Sequence, residues 1–365
     1  MSTYKEAGVD VRLADKFVEL IKPHVKSTHK YWDGEMVNGS GGYAAVLKWG
    51  KTIIGVSTDG VGTKLCIAAA LDELSTVGID LVAMNANDVL VAMQPKTSLL
   101  VDYYGVNKLS LHDGERIIQG IATGCKLANA ALVGGETAEM PLLFRKHPYH
   151  SKPALTDDER MEQPAKYAMH EFDLVGTFIG LTDSDETDSA IMKPHFTIKK
   201  GMGIFGFRSS GLHSNGYSLV HKVFDIDYSE PNQALKTLRT CYGDFDRPLG
   251  DVLLTPTTIY YEKITRTRKA YSVAGFAHIT GGGLTRNIPR ILPRNCNAVV
   301  YTDRWPRQPI FDLIAKTGNI SEQEMLKTFN CGIGLVAVSK QDLTPAGYYY
   351  IGDVVPGDGK VKFVS

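Results

Sequence analysis

The sequence has few cysteines, no excess of either charge and no long run of apolar residues. Its five cysteines are widely spaced and include no Cys-x-x-Cys pair, which argues against a zinc ribbon or a disulfide framework. We therefore expect a reducing compartment, and the polar N-terminus without an apolar signal core predicts a cytoplasmic protein. The best apolar stretch, residues 78–93, is interrupted by Asp80 and Asp88, so no membrane span is predicted.

The charges balance, with 40 Lys and Arg side chains against 40 Asp and Glu. A balanced surface gives no reason to expect nucleic acid or an anionic membrane as a partner. A chain of 365 residues is long for one core, so we expect two domains, at 1–172 and 173–365. The polar stretch 142–172 contains several prolines and is interpreted as a surface insertion in the first domain.

Strand-like and helix-like segments alternate along most of the chain after an irregular first 50 residues. Residues 52–58 are rich in β-branched side chains and predict a strand, and residues 97–104 predict another. Residues 76–93 and 111–130 have the length and apolar pattern of helices. A second alternation of the same kind follows residue 173, so the pattern predicts a layered α/β fold in both halves.

The densest chemical signal is the segment from Ser57 to Lys64, where a predicted strand ends at Asp59 and a glycine turn follows. Gly60 and Gly62 let backbone N–H groups approach phosphate oxygens, and Lys64 adds a cation. A carboxylate such as Asp59 suits Mg²⁺ bound to phosphates. The segment is not a Walker loop, because the Gly-x-x-x-x-Gly-Lys-[Ser/Thr] spacing is absent. Taken alone, it is more often an ordinary turn.

Three polar residues of the predicted helix 76–93, Asp80, Asn87 and Asp88, share one face by helical spacing. Their neighbours are apolar on nearly all sides, which is typical of a buried helix. A buried, unpaired carboxylate is costly and needs a cation or hydrogen-bond donors. We interpret Asp88, with Asn87 beside it, as a metal or phosphate ligand; the alternative is an exposed polar stripe.

Acidic side chains also stand at the ends of two further predicted strands. Asp102 closes the strand 97–104, and Glu136 follows the paired glycines Gly134 and Gly135. Because the ends of such strands meet at one edge of an α/β sheet, the sequence predicts a shared cation cluster there. Any one of these residues alone is better explained as a cap or a turn.

The second half offers hydrogen-bond donors instead. The segment 209–217 joins a predicted strand to a helix, with Ser214 as the expected N-cap and His213 as a candidate to bind phosphate or move a proton. A capping turn with a surface histidine explains the same spacing equally well. The segment 278–284 is a similar glycine turn. Cys331 is interpreted as a small core residue rather than a nucleophile.

Taken together, these segments resemble the phosphoribosylformylglycinamidine cyclo-ligases, also called aminoimidazole ribonucleotide synthetases. The opening Tyr-Lys-x-Ala-Gly-Val-Asp and the late Thr-Phe-Asn-Cys-Gly discriminate best. The matching stretches follow the family's order along nearly the whole chain: 4–10, 59–64, 78–84 with 87–88, 102–104, 134–141, 209–219, 278–283, 287–290 and 328–334.

The resemblance implies a two-domain α/β fold in which the N-terminal domains of a homodimer pair their sheets into a barrel, with helices outside. It implies ATP, Mg²⁺ and formylglycinamidine ribonucleotide as ligands. The implied products are aminoimidazole ribonucleotide, ADP and phosphate.

The resemblance also implies roles for single residues. It places Lys22, Asp88 and His213 in catalysis, and it places Asp59, Asp88 and Glu136 around Mg²⁺. Composition alone would make Lys22 a solvated surface lysine. With the motifs above, the predicted nucleotide-binding set is Asp59, Gly60, Gly62, Thr63, Lys64, Asn87, Asp102, Gly134, Gly135, Glu136 and Thr137.

Three other kinds of protein could account for some of these motifs. Another ATP-dependent enzyme of the same superfamily, such as formylglycinamidine ribonucleotide synthase, is much longer and needs a glutaminase. A non-catalytic ATP-binding or dimerisation module would not be expected to retain a full set of site residues, which here are Asp59, Lys64, Asp88, Glu136 and His213. A dinucleotide oxidoreductase would need the Gly-x-Gly-x-x-Gly fingerprint, which is missing.

Overall fold

Two six-stranded sheets, one in each half of the chain, organise the fold. The computed structural model describes residues 3–9, 11–38, 42–141, 143–144, 172–185, 193–243 and 245–365. The predicted insertion 142–172 therefore lies almost entirely outside the described residues. Among the described helices, none combines the length and the hydropathy needed to cross a bilayer.

The first sheet has the strand order β1-β2-β3-β6-β4-β5. Its strands are β1 (Glu35–Met36), β2 (Ala45–Trp49), β3 (Thr52–Gly60), β4 (Thr97–Val106), β5 (Ala131–Glu139) and β6 (Phe172–Asp183). β6 is inserted between β3 and β4 and runs antiparallel to both, whereas β5 runs parallel to β4. β3, β4 and β5 consequently point the same way, and their carboxyl ends lie at one edge.

Helices cover one face of this sheet: α2 (Lys64–Leu71), α3 (Ser75–Ala92) and α4 (Leu111–Leu127), preceded in the chain by α1 (Val11–Thr28). α3 lies against the two central strands, because a Cβ on Gly55 or Gly180 would meet Val89 at 3.1 or 2.9 Å. Its side chains are buried nearly all round, as its composition predicts.

A pair of glycines lets α3 and α4 cross at close range. A Cβ on Gly78 would lie 2.4 Å from the backbone N of Ile121, and one on Gly120 would lie 2.0 Å from the carbonyl O of Ser75. Only a residue without a Cβ fits at either position. The crossing holds α4 against the helix that carries Asp80 and Asp88.

The opposite face of the first sheet carries no helix of the described chain. Along β6 the residues facing the helices are buried, whereas Val175, Thr177, Ile179 and Leu181 on the other face are only half-buried. A half-buried face of branched apolar side chains is typical of a surface that another sheet covers.

The second sheet has the strand order β12-β9-β11-β7-β10-β8. Its strands are β7 (Gly203–Arg208), β8 (Gly275–His278), β9 (Cys296–Tyr301), β10 (Ile333–Ser339), β11 (Tyr349–Pro356) and β12 (Val361–Val364). The helices of this half are α5 (Pro194–Thr197), α6 (Tyr217–Val223), α7 (Pro231–Leu238), α8 (Leu249–Leu253), α9 (Tyr261–Ala270), α10 (Gly283–Asn287), α11 (Pro309–Thr317) and α12 (Glu322–Thr328). Every residue of β10 is buried, so this strand is covered on both faces.

Several predicted boundaries differ from the structure. The strand β6 (Phe172–Asp183) belongs to the first sheet, so that sheet extends past residue 172, where we expected the first domain to end. The first 50 residues are not irregular, since they hold α1 and two strands. Ser214 is not an N-cap, because the helix begins later, after Gly216 with φ of 81°. Glu136 does not follow a strand end: β5 continues to Glu139.

Candidate active site

A buried ion pair lies where the two halves of the chain meet. The Lys64 Nζ is 2.7 Å from the Asp80 Oδ2, and both side chains are fully buried. Lys64 also donates to the carbonyl oxygens of Thr255 (2.9 Å) and His213 (3.3 Å) in the second half. The Asp80 Oδ1 accepts from the Thr257 N–H (2.7 Å) and hydroxyl (2.5 Å). Burial lowers the pKa of Lys64, and the Asp80 charge opposes that shift.

Lys64 was expected to face a triphosphate, but the structure gives its ammonium three protein partners. An ammonium has three hydrogens to donate. The side chain therefore acts as a link between α2, α3 and the second half, and a direct contact with nucleotide stays a prediction.

Asn87 forms a second link between the halves. Its Nδ2 donates to the Thr258 carbonyl at 2.9 Å, and its Oδ1 accepts from the Tyr260 backbone N–H at 2.9 Å. The Nδ2 also lies 3.4 Å from the Nε2 of His278. The side chain is fully buried, so both atoms of the amide are engaged by protein rather than turned toward a ligand.

Asp88 stands beside Asn87 on α3 and is paired with His278 at the end of β8. The Nδ1 of His278 is 2.8 Å from the Asp88 Oδ1. The His278 side chain is fully buried, whereas 14% of the Asp88 side chain remains exposed. The carboxylate thus has one side fixed by protein and another open, which fits the predicted role of a ligand-binding carboxylate.

Asp59 lies near the end of β3 and close to Asp88. The Asp59 carboxylate accepts the neighbouring Gly60 N–H at 2.8 Å. Although the side chain is exposed, partial loss of hydration beside the protein raises its pKa, and the negative charge of Asp88 raises it further. Two carboxylates that repel each other at an open surface are a suitable donor set for a divalent cation.

The predicted glycine turn follows directly. Gly62 has φ of 77°, a left-handed conformation that favours glycine, and it is exposed together with Thr63. The turn leads into the first residue of α2. It therefore presents backbone at the surface next to Asp59, as the sequence predicts.

Asp102 shares a row of the sheet with Asp59. Asp59 pairs with Gly176, Gly176 with Asp102, and Asp102 with Gly135. Residues opposite one another in a sheet project from the same face, so Asp59 and Asp102 both face the helices, about 10 Å apart across two strand spacings. Burial raises the pKa of Asp102.

Glu136 lies on the other face of the sheet. It is paired with Tyr103, which follows Asp102 in β4. Because successive side chains of a strand alternate between faces, Glu136 projects from the face opposite to that of Asp102. Gly134 shares that outward face, whereas Gly135 and Thr137 face the helices. All four positions are exposed on the edge strand. The predicted three-carboxylate cluster of Asp59, Asp88 and Glu136 is therefore not assembled on one face.

Within the ranges the structure covers, no group of three or more His, Cys, Asp or Glu side chains is arranged to hold a metal. The fit to Mg²⁺ rests on Asp59 and Asp88. Mg²⁺ is commonly held by one or two carboxylates, with water and phosphate oxygens as its other ligands. Two open carboxylates suit that mode of binding.

His213 is buried rather than at the surface. Its φ of 63° is left-handed, its Nε2 accepts from the Ser210 N–H at 3.3 Å, and its buried Nδ1 has no hydrogen-bond partner among the described residues. Burial, with the nearby Lys64 charge, lowers the pKa of His213 well below its usual value of about 6.5. The ring is therefore neutral, and its predicted catalytic role stays a prediction.

Asn330 holds the segment that contains His213. It accepts from the Ser209 hydroxyl (3.0 Å) and donates to the Gly211 carbonyl (2.9 Å). Cys331 is fully buried and burial raises its pKa to about 12, as expected of a core thiol.

Lys22 lies on α1, where its recorded partner among the described residues is Glu19, one turn earlier on the same helix. α1 also exposes large apolar side chains, including Leu13, Phe17 and Leu20. No described contact brings Lys22 to Asp59 or Asp88, so its predicted role stays a prediction from resemblance.

No pattern in the sequence predicts the specific partners of the polar side chains on α3. His278, Thr257 and Tyr260 lie about 170 to 190 positions from the residues they bind. In the segment 278–284 the glycines predicted a phosphate-binding turn, and no role was predicted for His278. The helical spacing of Asp80, Asn87 and Asp88 was the useful sign, because polar side chains on a buried helix require partners.

Solved structures show which fold the chain shares. The structure described as "AaThiL complexed with AMPPCP and TMP" matches with a TM-score of 0.58 at 14% identity, covering 95% of this chain and 92% of that one. The hydrogenase maturation protein HypE in complex with ATP matches with a TM-score of 0.53 at 15% identity, covering 92% and 88%. These likenesses show a shared two-domain α/β fold.

The family follows from the sequence comparisons. Residues 41–156 match the N-terminal domain and residues 199–361 the C-terminal domain of the AIR synthase related proteins. Phosphoribosylformylglycinamidine cyclo-ligases are 40% identical in Syntrophotalea carbinolica (92% of this chain, 87% of the relative), 42% in Geotalea daltonii (92%, 86%) and 38% in Caldanaerobacter subterraneus (98%, 99%). The chain belongs to the phosphoribosylformylglycinamidine cyclo-ligase family of AIR synthase related proteins.

Proposed function

We propose that this chain catalyses the ATP-dependent cyclisation of formylglycinamidine ribonucleotide to 5-aminoimidazole ribonucleotide, with release of ADP and phosphate. The observation that carries the proposal is the match to cyclo-ligases over more than nine-tenths of the chain. The convergence of Asp59 and Asp88 at an open surface supports it, because phosphate transfer requires groups that organise a highly charged nucleotide.

The proposed chemistry is phosphorylation followed by ring closure. The formyl oxygen of the substrate attacks the γ-phosphorus of ATP, the bond to the ADP oxygen breaks, and an iminophosphate forms. The amidine nitrogen then attacks the activated carbon, and inorganic phosphate leaves as the ring closes. Phosphorylation converts a poor leaving oxygen into a good one, so the protein has mainly to position groups and balance charge.

We propose that Asp59 and Asp88 hold Mg²⁺ together with the nucleotide phosphates. When bound, the cation neutralises phosphate charge. The exposed turn at Gly62 and Thr63 lies beside Asp59 and is proposed to approach the phosphates. The remaining predicted ligands, among them Asp102 and Glu136, stay predictions of the sequence.

The test is an assay on the purified chain with formylglycinamidine ribonucleotide, ATP and Mg²⁺, in which ADP and the aminoimidazole product are both measured. We expect equal amounts of the two. ADP formed in response to substrate but without imidazole product would exclude the cyclo-ligase activity. Asp88→Asn should lower kcat about 100-fold or more, while the matched replacement Asp312→Asn, exposed on α11, should not.

We also propose that the chain forms a homodimer through the open face of its first sheet, where two copies complete a barrel. The half-buried face that includes Thr177 and Ile179 supports this, because a lone sheet face of this kind leaves apolar surface in water. Thr177→Lys should yield monomers in sedimentation equilibrium, whereas Thr123→Lys, exposed on α4, should not. A dimer unaffected by Thr177→Lys would exclude this face as the interface.

A further inference from the structure

The imidazole of His278 has a hydrogen-bond partner on each nitrogen, and the two partners are neighbours in sequence. Nδ1 lies 2.8 Å from the Asp88 Oδ1, and Nε2 lies 3.4 Å from the Asn87 Nδ2. The ring is fully buried. A histidine of the second half is thus held by two consecutive side chains of a helix in the first half.

The orientation of the Asn87 amide decides which nitrogen of His278 carries the proton. The Asn87 oxygen must meet the Tyr260 backbone N–H, and its nitrogen must meet the Thr258 carbonyl. Its second N–H is then directed at Nε2 of His278, which can accept only if it is unprotonated. With Nε2 accepting from Asn87, Nδ1 is the nitrogen that donates to Asp88.

We propose that His278 is a positioning residue for Asp88, and that Asn87 acts by fixing the tautomer of His278 rather than by touching nucleotide. The inference rests on the proposed function, since it assigns Asp88 to the Mg²⁺ and nucleotide site. The Nδ1–H fixes one carboxylate oxygen, and the partly exposed remainder of the group stays available to a ligand.

This hydrogen bond matters because a carboxylate that is free to rotate must be ordered each time it binds a metal ion. Partners that orient a metal-binding side chain commonly account for 10- to 100-fold in metal affinity. The hydrogen bond joins His278 at the end of β8 to Asp88 on α3. The Asp88 carboxylate is therefore oriented by His278 only when the two halves of the chain are packed together. The binding site in the first half is in this way completed by a residue of the second.

Two substitutions at the same position separate positioning from simple packing. In His278→Asn the amide nitrogen takes the place of Nδ1 and still donates to Asp88; in His278→Gln it takes the place of Nε2 and does not. We expect His278→Gln to weaken binding of Mg²⁺ with the non-hydrolysable analogue AMPPCP about 10-fold or more by calorimetry, and His278→Asn to weaken it less than about 3-fold. The KM for ATP should follow the same order.

Equal weakening in both variants, or none in either, would overturn the proposal. If the variants do not fold, ¹⁵N spectra of histidine-labelled wild-type protein test it directly: His278 should show protonated Nδ1 and unprotonated Nε2, and any other form would overturn it. The proposed function fails separately, when wild-type protein makes no aminoimidazole product or Asp88→Asn retains full activity. Active wild type, impaired Asp88→Asn and unimpaired His278→Gln would refute the inference alone.

Discussion

Breaking the buried Lys64–Asp80 pair is expected to destabilise the protein far more than breaking a surface pair. In Asp80→Asn the amide oxygen can still accept from Thr257, but the Lys64 ammonium, fully buried and 2.7 Å away, loses its counter-charge. Removing one partner of a buried ion pair costs about 3–5 kcal/mol, because the other charge is left in the interior. Lys64→Met should cost a similar amount, since the Thr255 and His213 carbonyls also lose a donor.

The double variant Lys64→Met/Asp80→Asn carries no buried charge at this position. Its cost should therefore be about 2–3 kcal/mol smaller than the sum of the two single costs, a coupling typical of residues in one network. Urea unfolding of the ligand-free chain, followed by tryptophan fluorescence, gives the three free energies of unfolding.

Asp358→Asn provides the matched control, because Asp358 pairs with Lys360 at an exposed site. It should leave the unfolding midpoint unchanged. Single variants that lose less than about 1 kcal/mol, or costs that simply add in the double variant, would show that the Lys64–Asp80 charges are not desolvated as the structure indicates.

Two further predictions concern pH and packing. Burial lowers the pKa of His213, so the native chain binds no proton there when the pH falls below about 6.5. The unfolded chain does bind a proton at His213 in that range. The free energy of unfolding should therefore fall by up to about 1.4 kcal/mol for each pH unit below about 6.5. His213→Gln should flatten this slope in urea titrations between pH 5 and 7, and the exposed His112→Gln should not; an unchanged slope in His213→Gln would contradict the assignment. Gly120→Ala should destabilise the protein by roughly 1–3 kcal/mol, since its Cβ would lie 2.0 Å from a carbonyl oxygen. Gly114→Ala, whose Cβ would have no atom closer than 3.7 Å, should be neutral or stabilising. Thermal melts compare the two variants, and equal effects would contradict the close crossing of the helices.

Elements with a strong intrinsic pattern could be predicted from the sequence. The apolar run with polar residues on one face predicted a helix at 76–93, and the structure has it at Ser75–Ala92. The strand expected at 97–104 is observed at Thr97–Val106. In both cases local periodicity and side-chain shape carry the information, so no distant contact is needed to recognise the element.

The register of the first sheet could not be predicted. A bulge between Leu100 and Val101 shifts the pairing of β4 with β5, and a shift of one residue exchanges the faces of the sheet. This shift places Gly135 rather than Gly134 opposite Asp102, and it places Glu136 opposite Tyr103 rather than Tyr104. The sequence therefore could not predict the face of the sheet on which Glu136 lies, because strand ends follow a local pattern whereas pairing offsets do not.

The partners of Asp80, Asn87 and Asp88 were also beyond the sequence. Helical spacing correctly predicted that these side chains share a face of a buried helix, and burial required that they be paired. Their partners come from the second half, and no local pattern identifies them. The polar residues on the buried helix thus indicated that α3 has polar partners, but they did not identify the partner residues.

Helix α3 sets the distance between Asp80, which binds the second half, and Asp88, whose carboxylate is partly exposed. Asp80 and Asp88 are eight positions apart on α3, a rise of about 12 Å. Adding one residue between them would turn Asp88 by about 100° away from His278 while leaving Asp80 bound to Thr257. The eight-position spacing on α3 therefore determines whether Asp88 can reach His278 while Asp80 binds Thr257.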